Sequence, residues 1–156
     1  VTGRYRLDDL HPAADDALAV RLHALQQAAY RVEADLIDDD RIPPLHETVE
    51  DVRAEPVSWL GAYAGSELVG AVAWTEVADG WDIDRLVVDP PRHREGVGST
   101  LLRALIERAG GRQITVSTGS GNAPARELYL THGFRPAGDI EVIPTLWVSQ
   151  YVRPGD

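Results

Sequence analysis

The run Leu86 to Leu102, LVVDPPRHREGVGSTLL, constrains the fold more than any other part of the chain. A short β-branched segment runs into Asp89-Pro90-Pro91, a basic turn punctuated by Gly96 and Gly98 follows, and then an amphipathic helix begins. Glycine lacks a Cβ, so the backbone of such a turn approaches a ligand closely and adopts dihedrals that other residues avoid. The first turn of the helix presents N–H groups with no intrahelical partner, together with the positive end of the helix dipole. A strand–turn–helix of this kind is suited to an anion such as a pyrophosphate.

The rest of the chain supplies a sheet around that unit. Tyr5 to Leu10 reads as a first strand. Leu18, Leu22, Leu25, Ala29 and Val32 recur at helical spacing and predict one long amphipathic helix reaching about Ile37. The acids and prolines of Asp38 to Pro44 break it, and a shorter helix is expected over His46 to Ala54. Ser58 to Ala64 and Glu67 to Glu76 read as a hairpin around Gly65-Ser66, with Trp81 to Val88 as the third strand of a meander. After the glycine turn, a helix over Gly96 to Ala109 ends at Gly110-Gly111. Gln113 to Thr118 is a strand, and Asn122 to His132 is a helix with Pro124 tolerated in its first turn. Thr145 to Val152 reads as the last strand, with an edge that could pair across a two-fold axis in a homodimer. This order is an α+β layout with a mixed sheet, and 156 residues suit a single domain over 1–156.

Composition removes several function classes. The net charge of −10 argues against nucleic acid as the main partner. With no cysteine, disulfides, thiolate metal sites and a cysteine acyl-enzyme are excluded, and no metal site is expected. All 15 basic residues are arginine, so a lysine Schiff base is impossible and the P-loop lacks its lysine. A dinucleotide fingerprint fails too, since only two glycines fit and the preceding strand closes an antiparallel meander. No apolar run is long enough to span a bilayer and no signal segment opens the sequence, so the expectation is a cytoplasmic protein without a membrane partner.

The motifs and their order resemble the GNAT superfamily of acyl-CoA-dependent N-acetyltransferases. A strand carrying L-x-V-x-P is matched by Leu86, Val88 and Pro90, and the following R/Q-x-x-G-x-G/A by His93, Gly96 and Gly98. The second family motif, N-x-x-A-x-x-x-Y-x-x-x-G-F, is matched by Asn122, Ala125, Tyr129, Gly133 and Phe134. The first motif departs at one position, where His93 stands for the usual Arg or Gln. A histidine also donates a hydrogen bond, so this departure bears on the strength of CoA binding and not on the reaction.

The resemblance implies α/β/α layers: a mixed, mostly antiparallel sheet of about six to seven strands, splayed at the CoA cleft, with about four helices. It implies acetyl-CoA as cosubstrate, its pyrophosphate on the turn His93, Arg94, Glu95, Gly96, Val97, Gly98 and Ser99. The pantetheine arm then lies along Leu86, Val87 and Val88, and a backbone N–H near Val87 or Val88 polarises the thioester carbonyl. Asn122 caps the second helix, contacts the arm, or does both. Tyr129 acts as general acid on the leaving thiolate, a role that suits a phenol protonated at neutral pH.

The base that deprotonates the amine stays open between Glu76, Asp82 and Asp84. Plain alternation along the strand puts Asp82, Asp84, Leu86 and Val88 on one face and Ile83, Arg85 and Val87 on the other. Either aspartate has a structural alternative as an arginine partner. Nine acids fall between Glu33 and Glu55 against Arg41 and Arg53. This charge suits a surface that attracts a cationic substrate, or a solvated acidic loop and helix face. The resemblance places Tyr30 to Pro44 on the acceptor side of the cleft, and the acidity of that segment implies a cationic acceptor such as a polyamine, an aminoglycoside-like drug or a peptide amine. Tyr30, Trp59, Trp74 and Trp81 are candidates for an apolar or cation–π wall. The leading expectation is therefore direct transfer of acetyl to a primary amine in a ternary complex. A non-catalytic acyl-CoA sensor or scaffold, and an acidic protein-docking surface beside a vestigial site, are the alternatives.

Overall fold

The computed structural model describes residues 4–156. Strand β1 (Arg6–Leu10) leads through a short 3₁₀ turn into α1 (Asp16–Ile37). The helix is capped by Asp15, whose carboxylate accepts from the Leu18 N–H at 3.1 Å, and it ends at Asp38 in the left-handed region. Helix α2 (Val49–Ala54) is shorter than its pattern suggests. A capping box between Thr48 and Asp51 fixes its start, and Pro43–His46 forms a separate 3₁₀ turn before it. The meander β2 (Ser58–Ala64), β3 (Glu67–Val77) and β4 (Gly80–Val88) follows, then α3 (Val97–Ala109), β5 (Gln113–Gly119) and α4 (Ala123–Thr131). The chain closes with β6 (Arg135–Ile143) and β7 (Leu146–Arg153). Strand β6 has no clear sequence signature, because Pro136, Gly138 and Asp139 depress strand propensity and all nine residues are exposed, leaving no buried alternation.

One seven-stranded sheet runs in the order β1-β2-β3-β4-β5-β7-β6. Among the described residues only the β4–β5 pair is parallel, as a strand–helix–strand crossover through α3 requires. β7 pairs with β5 on one side and β6 on the other, so the terminal strand has no edge to offer a second copy. The free edges are β1 and β6.

Each sheet face carries its own core. Leu101, Leu102 and Leu105 of α3 and Tyr129 of α4 pack on Val69, Val72, Ile83 and Ile114. On the other face, Leu22 and Leu25 of α1 and Val52 of α2 pack on Trp59, Leu68, Ala71 and Val87. Among the described residues, no helix is long and apolar enough to cross a membrane.

Two departures from a regular sheet build the site. First, β4 and β5 share a ladder only from Gly80↔Gln113 to Ile83↔Val116. Beyond that point β4 continues to Val88 and β5 to Gly119 without pairing, so the sheet splays. Second, the β3–β4 register shifts between Trp74↔Ile83 and Ala73↔Arg85, leaving Asp84 as a bulge residue. The bulge breaks the simple alternation expected for this strand. Ile83, Leu86 and Val88 pack in the α3 core, whereas Val87 packs under α1 and Arg85 reaches Gln26 of α1. Asp84 lies next to Arg85, with its carboxylate on the Arg85 Nε, and so departs from the face of Leu86 and Val88.

Gly70 sets how closely α3 approaches the sheet. A Cβ there would stand 2.5 Å from Val97 Cγ1 and 3.1 Å from Leu101 Cδ1. Gly70→Ala is expected to lift the first turn of α3 and to destabilise the fold by about 1–3 kcal/mol, the usual range for overpacking, as measured by urea denaturation.

Candidate functional site

The splay opens a cleft of about 780 Å³ between β4, β5, α1 and the N-termini of α3 and α4. Leu86, Val87, Val88, His93, Arg94, Gly96, Val97, Gly98, Ser99, Asn122 and Tyr129 all line it. Glu95 does not: its carboxylate pairs with Arg4 at 3.1 Å and Arg92 at 3.7 Å, and its carbonyl accepts from the Tyr5 hydroxyl at 2.9 Å.

At one end of the cleft the chain turns sharply into α3. Arg94 has φ +67° and Gly96 φ +83°, and no side chain caps the helix. The first helical amide to find a partner is that of Thr100, on the Gly96 carbonyl at 2.9 Å. Among the described residues, the N–H groups of Arg94, Gly96, Val97, Gly98 and Ser99 have no acceptor. Such a row of convergent amides fits a pyrophosphate. Gly98 keeps the passage open, since a Cβ there would already lie 3.3 Å from Leu128 Cδ2 and 3.7 Å from Val88 Cγ2.

The middle of the cleft is the unpaired margin of β4. The Asp89 N–H donates to the Val69 carbonyl at 2.8 Å. Antiparallel hydrogen bonds alternate along a strand, so the Val88 N–H points the other way, into the gap. This sharpens the choice between Val87 and Val88.

Tyr129 lies at the inner end, buried against Phe134 and Tyr151 with ring centroids 5.4 and 6.0 Å away. Its hydroxyl has no protein partner among the described residues. Burial raises the phenol above its ordinary pKa of 10, and the Glu33 carboxylate raises it further, so it stays protonated through the neutral range. The Asn122 side chain does two things at once. Oδ1 accepts from the Ala125 N–H at 3.2 Å and caps α4, while Nδ2 donates to Glu33 Oε1 at 3.1 Å.

The three proposed bases are placed very differently. Glu76 pairs with Trp81 beside the β3–β4 turn, at the closed end of the ladder and away from the cleft, so the structure does not bring it to the site. Asp82 is likewise outside the cleft lining, and its carboxylate accepts from Thr115 Oγ1 at 2.5 Å. Asp84 lines the cleft but binds Arg85 at 2.5 Å. Of the aromatic candidates only Tyr30 lines the cleft; Trp74 and Trp81 stack on each other, and Trp59 is buried beside Arg85.

Two residues that sequence reasoning did not single out organise the α1 side of the cleft. Glu33 of α1 reaches across the splay to Asn122 and to Thr118 Oγ1 at 3.3 Å. Arg85, with only 4% of its side chain exposed, donates to Gln26 at 2.7 Å and Glu47 at 2.8 Å besides Asp84. Burial disfavours its charge, but the bonds to Glu47 and Asp84 outweigh that and raise its pKa. Glu33 is legible only as a helix position facing inward with Tyr30, and Arg85 only as a charge in an otherwise apolar strand.

Removing the guanidinium leaves those carboxylates facing one another. Arg85→Met is expected to cost roughly 3–5 kcal/mol, the range for breaking a buried ion pair from one side. Glu55 is already raised, by burial first and then by Asp84, while Arg85 opposes the shift. A carboxyl raised in the fold contributes stability that is present at low pH and lost as pH rises through the raised value, so the variant's deficit should shrink as pH is lowered from neutral toward the ordinary glutamate range in denaturant titrations.

Residues 19–134 match the sequence profile of the "Acetyltransferase (GNAT) family". The chain belongs to that family. It is 32% identical over 135 residues to the "UPF0157 protein YqkA" of Bacillus subtilis, covering 86% of this chain but 39% of that protein, so it spans well under half of this relative's length. The ribosomal-protein-S18-alanine N-acetyltransferase from Escherichia coli superposes with a TM-score of 0.76 at 18% identity, covering 97% of this chain and 94% of that one. An acetyltransferase from Bacillus anthracis, solved in complex with acetyl coenzyme A, superposes with a TM-score of 0.59 at 18% identity, covering 66% and 65% of the two chains. At these identities the structural neighbours establish the fold.

Proposed function

We propose that this protein transfers an acetyl group from acetyl-CoA to a primary amine by direct attack within a ternary complex. The unpaired margin of β4 facing the row of free amides at the start of α3 carries this reading. The pyrophosphate sits on the amides from Arg94 to Ser99, with Arg92 and Arg94 adding positive charge. The pantetheine arm lies along Leu86 to Val88 in the place of a missing strand. The Val88 N–H meets the thioester carbonyl and stabilises the tetrahedral oxyanion. Attack by the amine forms the C–N bond, collapse breaks the C–S bond, and Tyr129 gives its proton to the departing thiolate. Much of the acceleration then comes from holding amine and thioester together. The acceptor is a cationic amine, since it enters beside Tyr30, Glu33 and Asp84.

Thiol release from acetyl-CoA, followed against a panel of polyamine, aminoglycoside and amino-terminal peptide acceptors, tests the reaction. Tyr129→Phe should lower kcat by about 10²-fold or more while leaving acetyl-CoA affinity unchanged, the scale of a lost general acid. Because the phenol is raised, wild-type activity should show no loss of the acid form up to its ordinary pKa of about 10. Saturable acetyl-CoA binding without thiol release from any amine would favour a sensor instead.

The same cleft requires no second subunit, but the free edge of β6 invites one. All nine residues of β6 are exposed, Ile140, Val142 and Ile143 among them, with Trp147 exposed on β7. We propose that two copies pair along β6 about a two-fold axis, which satisfies both unpaired edges symmetrically. Light scattering should then give a dimer for the wild type and a monomer for Ile140→Lys/Val142→Lys; a monomeric wild type overturns the pairing.

A further inference from the structure

The cleft holds a carboxylate for which the motifs give no role. Glu33 projects from α1 across the splayed strands, and its Oε1 accepts from Asn122 Nδ2 at 3.1 Å and Thr118 Oγ1 at 3.3 Å. Both donors are neutral. Among the described residues, no arginine or histidine forms an ion pair with Glu33, whereas Asp84, the acid of β4 that lines the cleft, is bonded to Arg85. Among the described residues its second oxygen has no hydrogen-bond partner. The residue is half-buried and lines the cleft on the same wall as Tyr30, opposite β4 and beside the N-terminus of α4.

We propose that Glu33 is the residue that meets the ammonium group of the acceptor and takes its proton. The inference rests on the acetyl-transfer reading above and gives that reaction its missing base. The neutral bonds from Asn122 and Thr118 orient the carboxylate without neutralising it, so an incoming cation finds an uncompensated charge in a partly desolvated place, where attraction is strongest. Asp84 offers less, because its carboxylate is already held by the Arg85 Nε. Both cleft phenols register the Glu33 charge, Tyr30 and Tyr129 being raised by burial first and by Glu33 next.

The step balances as follows. Glu33 accepts one proton from the alkylammonium and later releases it to solvent. The neutral amine attacks the thioester carbon, forming the C–N bond. As the C–S bond breaks, Tyr129 protonates the thiolate, and the positively charged nitrogen returns a proton to the phenolate. The products are the amide, CoA thiol and one proton in solution.

The test compares wild type with Glu33→Gln and Glu33→Asp in thiol-release assays with spermidine and an amino-terminal alanyl peptide, alongside calorimetric binding of acetyl-CoA. Glutamine keeps an oxygen for Asn122 and Thr118 but cannot hold a proton. Glu33→Gln should lose about 10²-fold or more in kcat/KM near neutral pH, as for a lost general base. Acetyl-CoA affinity should stay within about twofold, well under 1 kcal/mol. Its rate should climb about tenfold per pH unit toward the pKa of the amine, because only pre-formed neutral amine then reacts. Glu33→Asp should recover part of the loss. The other ionisable groups lining this cleft are Tyr30 on α1, Asp84 and Arg85 on β4, Arg92, His93 and Arg94 in the turn before α3, and Glu127 and Tyr129 on α4; Val116, Ser117 and Thr118 of β5 do not titrate in this range. A Glu33→Gln variant with wild-type kcat/KM and a parallel pH profile overturns the assignment, as does one that loses acetyl-CoA binding, which would make Glu33 a prop for Asn122. Absence of wild-type turnover with every amine removes the transfer reading itself and the role of Glu33 with it.

Discussion

The rest of the site depends on a single buried guanidinium. Taking an isolated charge out of water is prohibitive, so Arg85 must be met on every side, and the elements that meet it are held in place by that need. Gln26 comes from α1, Glu47 from the turn before α2, Asp84 from the bulge in β4, and Trp59 of β2 lies with its ring 5.7 Å from the guanidinium carbon. The Gln26 amide also donates to Glu47 and to the Pro44 carbonyl, which closes the network. The bulge is essential to this arrangement. Without the extra residue, Asp84 and Arg85 would point to opposite faces and the guanidinium would lose one carboxylate. Because Gln26 and Glu33 sit on one helix two turns apart, anchoring the first sets where the second reaches across the splay.

The two halves of the cleft are built from different materials. The half proposed for the donor is backbone: unpaired strand groups, helix N-terminal amides, Gly96 at positive φ and Gly98 at the close approach to Leu128. The acceptor half is side chains on α1 and the β4 bulge. In the proposed reaction this division suits the charges of the two ligands, an anionic CoA and a cationic amine, and it keeps the acidic stretch away from the amides proposed for the pyrophosphate. Much of that acidity is internal to the fold. Arg41 holds Asp39 down to a pKa of about 2, chiefly through their side-chain hydrogen bond. The same arginine donates to the Pro144 carbonyl at 3.0 Å and to Thr145 Oγ1 at 2.9 Å, tying the loop after α1 to the β6–β7 turn. A simple count of acids between Glu33 and Glu55 therefore overstates the field that an acceptor meets.

The half of the cleft proposed for the donor is legible in the sequence because backbone geometry leaves a sequence trace. Gly96, Gly98, Asn122 and Tyr129 stand at spacings that a turn and a helix register dictate, and the elements carrying them fall within a residue or two of expectation. The acceptor half is not. Strand alternation misassigns Asp84 because a bulge is a relation between two strands and has no signature in one. Glu76 looks equivalent to Asp84 along a strand but lies at the far end of the hairpin, since the ladder reverses direction between them. Glu33 reads as one acid among nine until α1 is laid across the gap. β6 escaped notice for the converse reason: a strand exposed on both faces has no periodic burial to betray it.

Placing the proposed acid and base within range of each other has a consequence for timing. While Glu33 is ionised it raises the Tyr129 phenol, which keeps the acid loaded as the acceptor arrives but also makes it a weak donor. In the proposed sequence Glu33 becomes neutral when it takes the ammonium proton. That part of the shift then disappears, leaving burial alone, and the phenol becomes a better acid at the moment a thiolate starts to leave. The separation of the cleft into a backbone half and a side-chain half is then more than a matter of binding two ligands. The splay brings a carboxylate from α1 and a phenol from α4 to the same gap, although the two helices lie on opposite faces of the sheet.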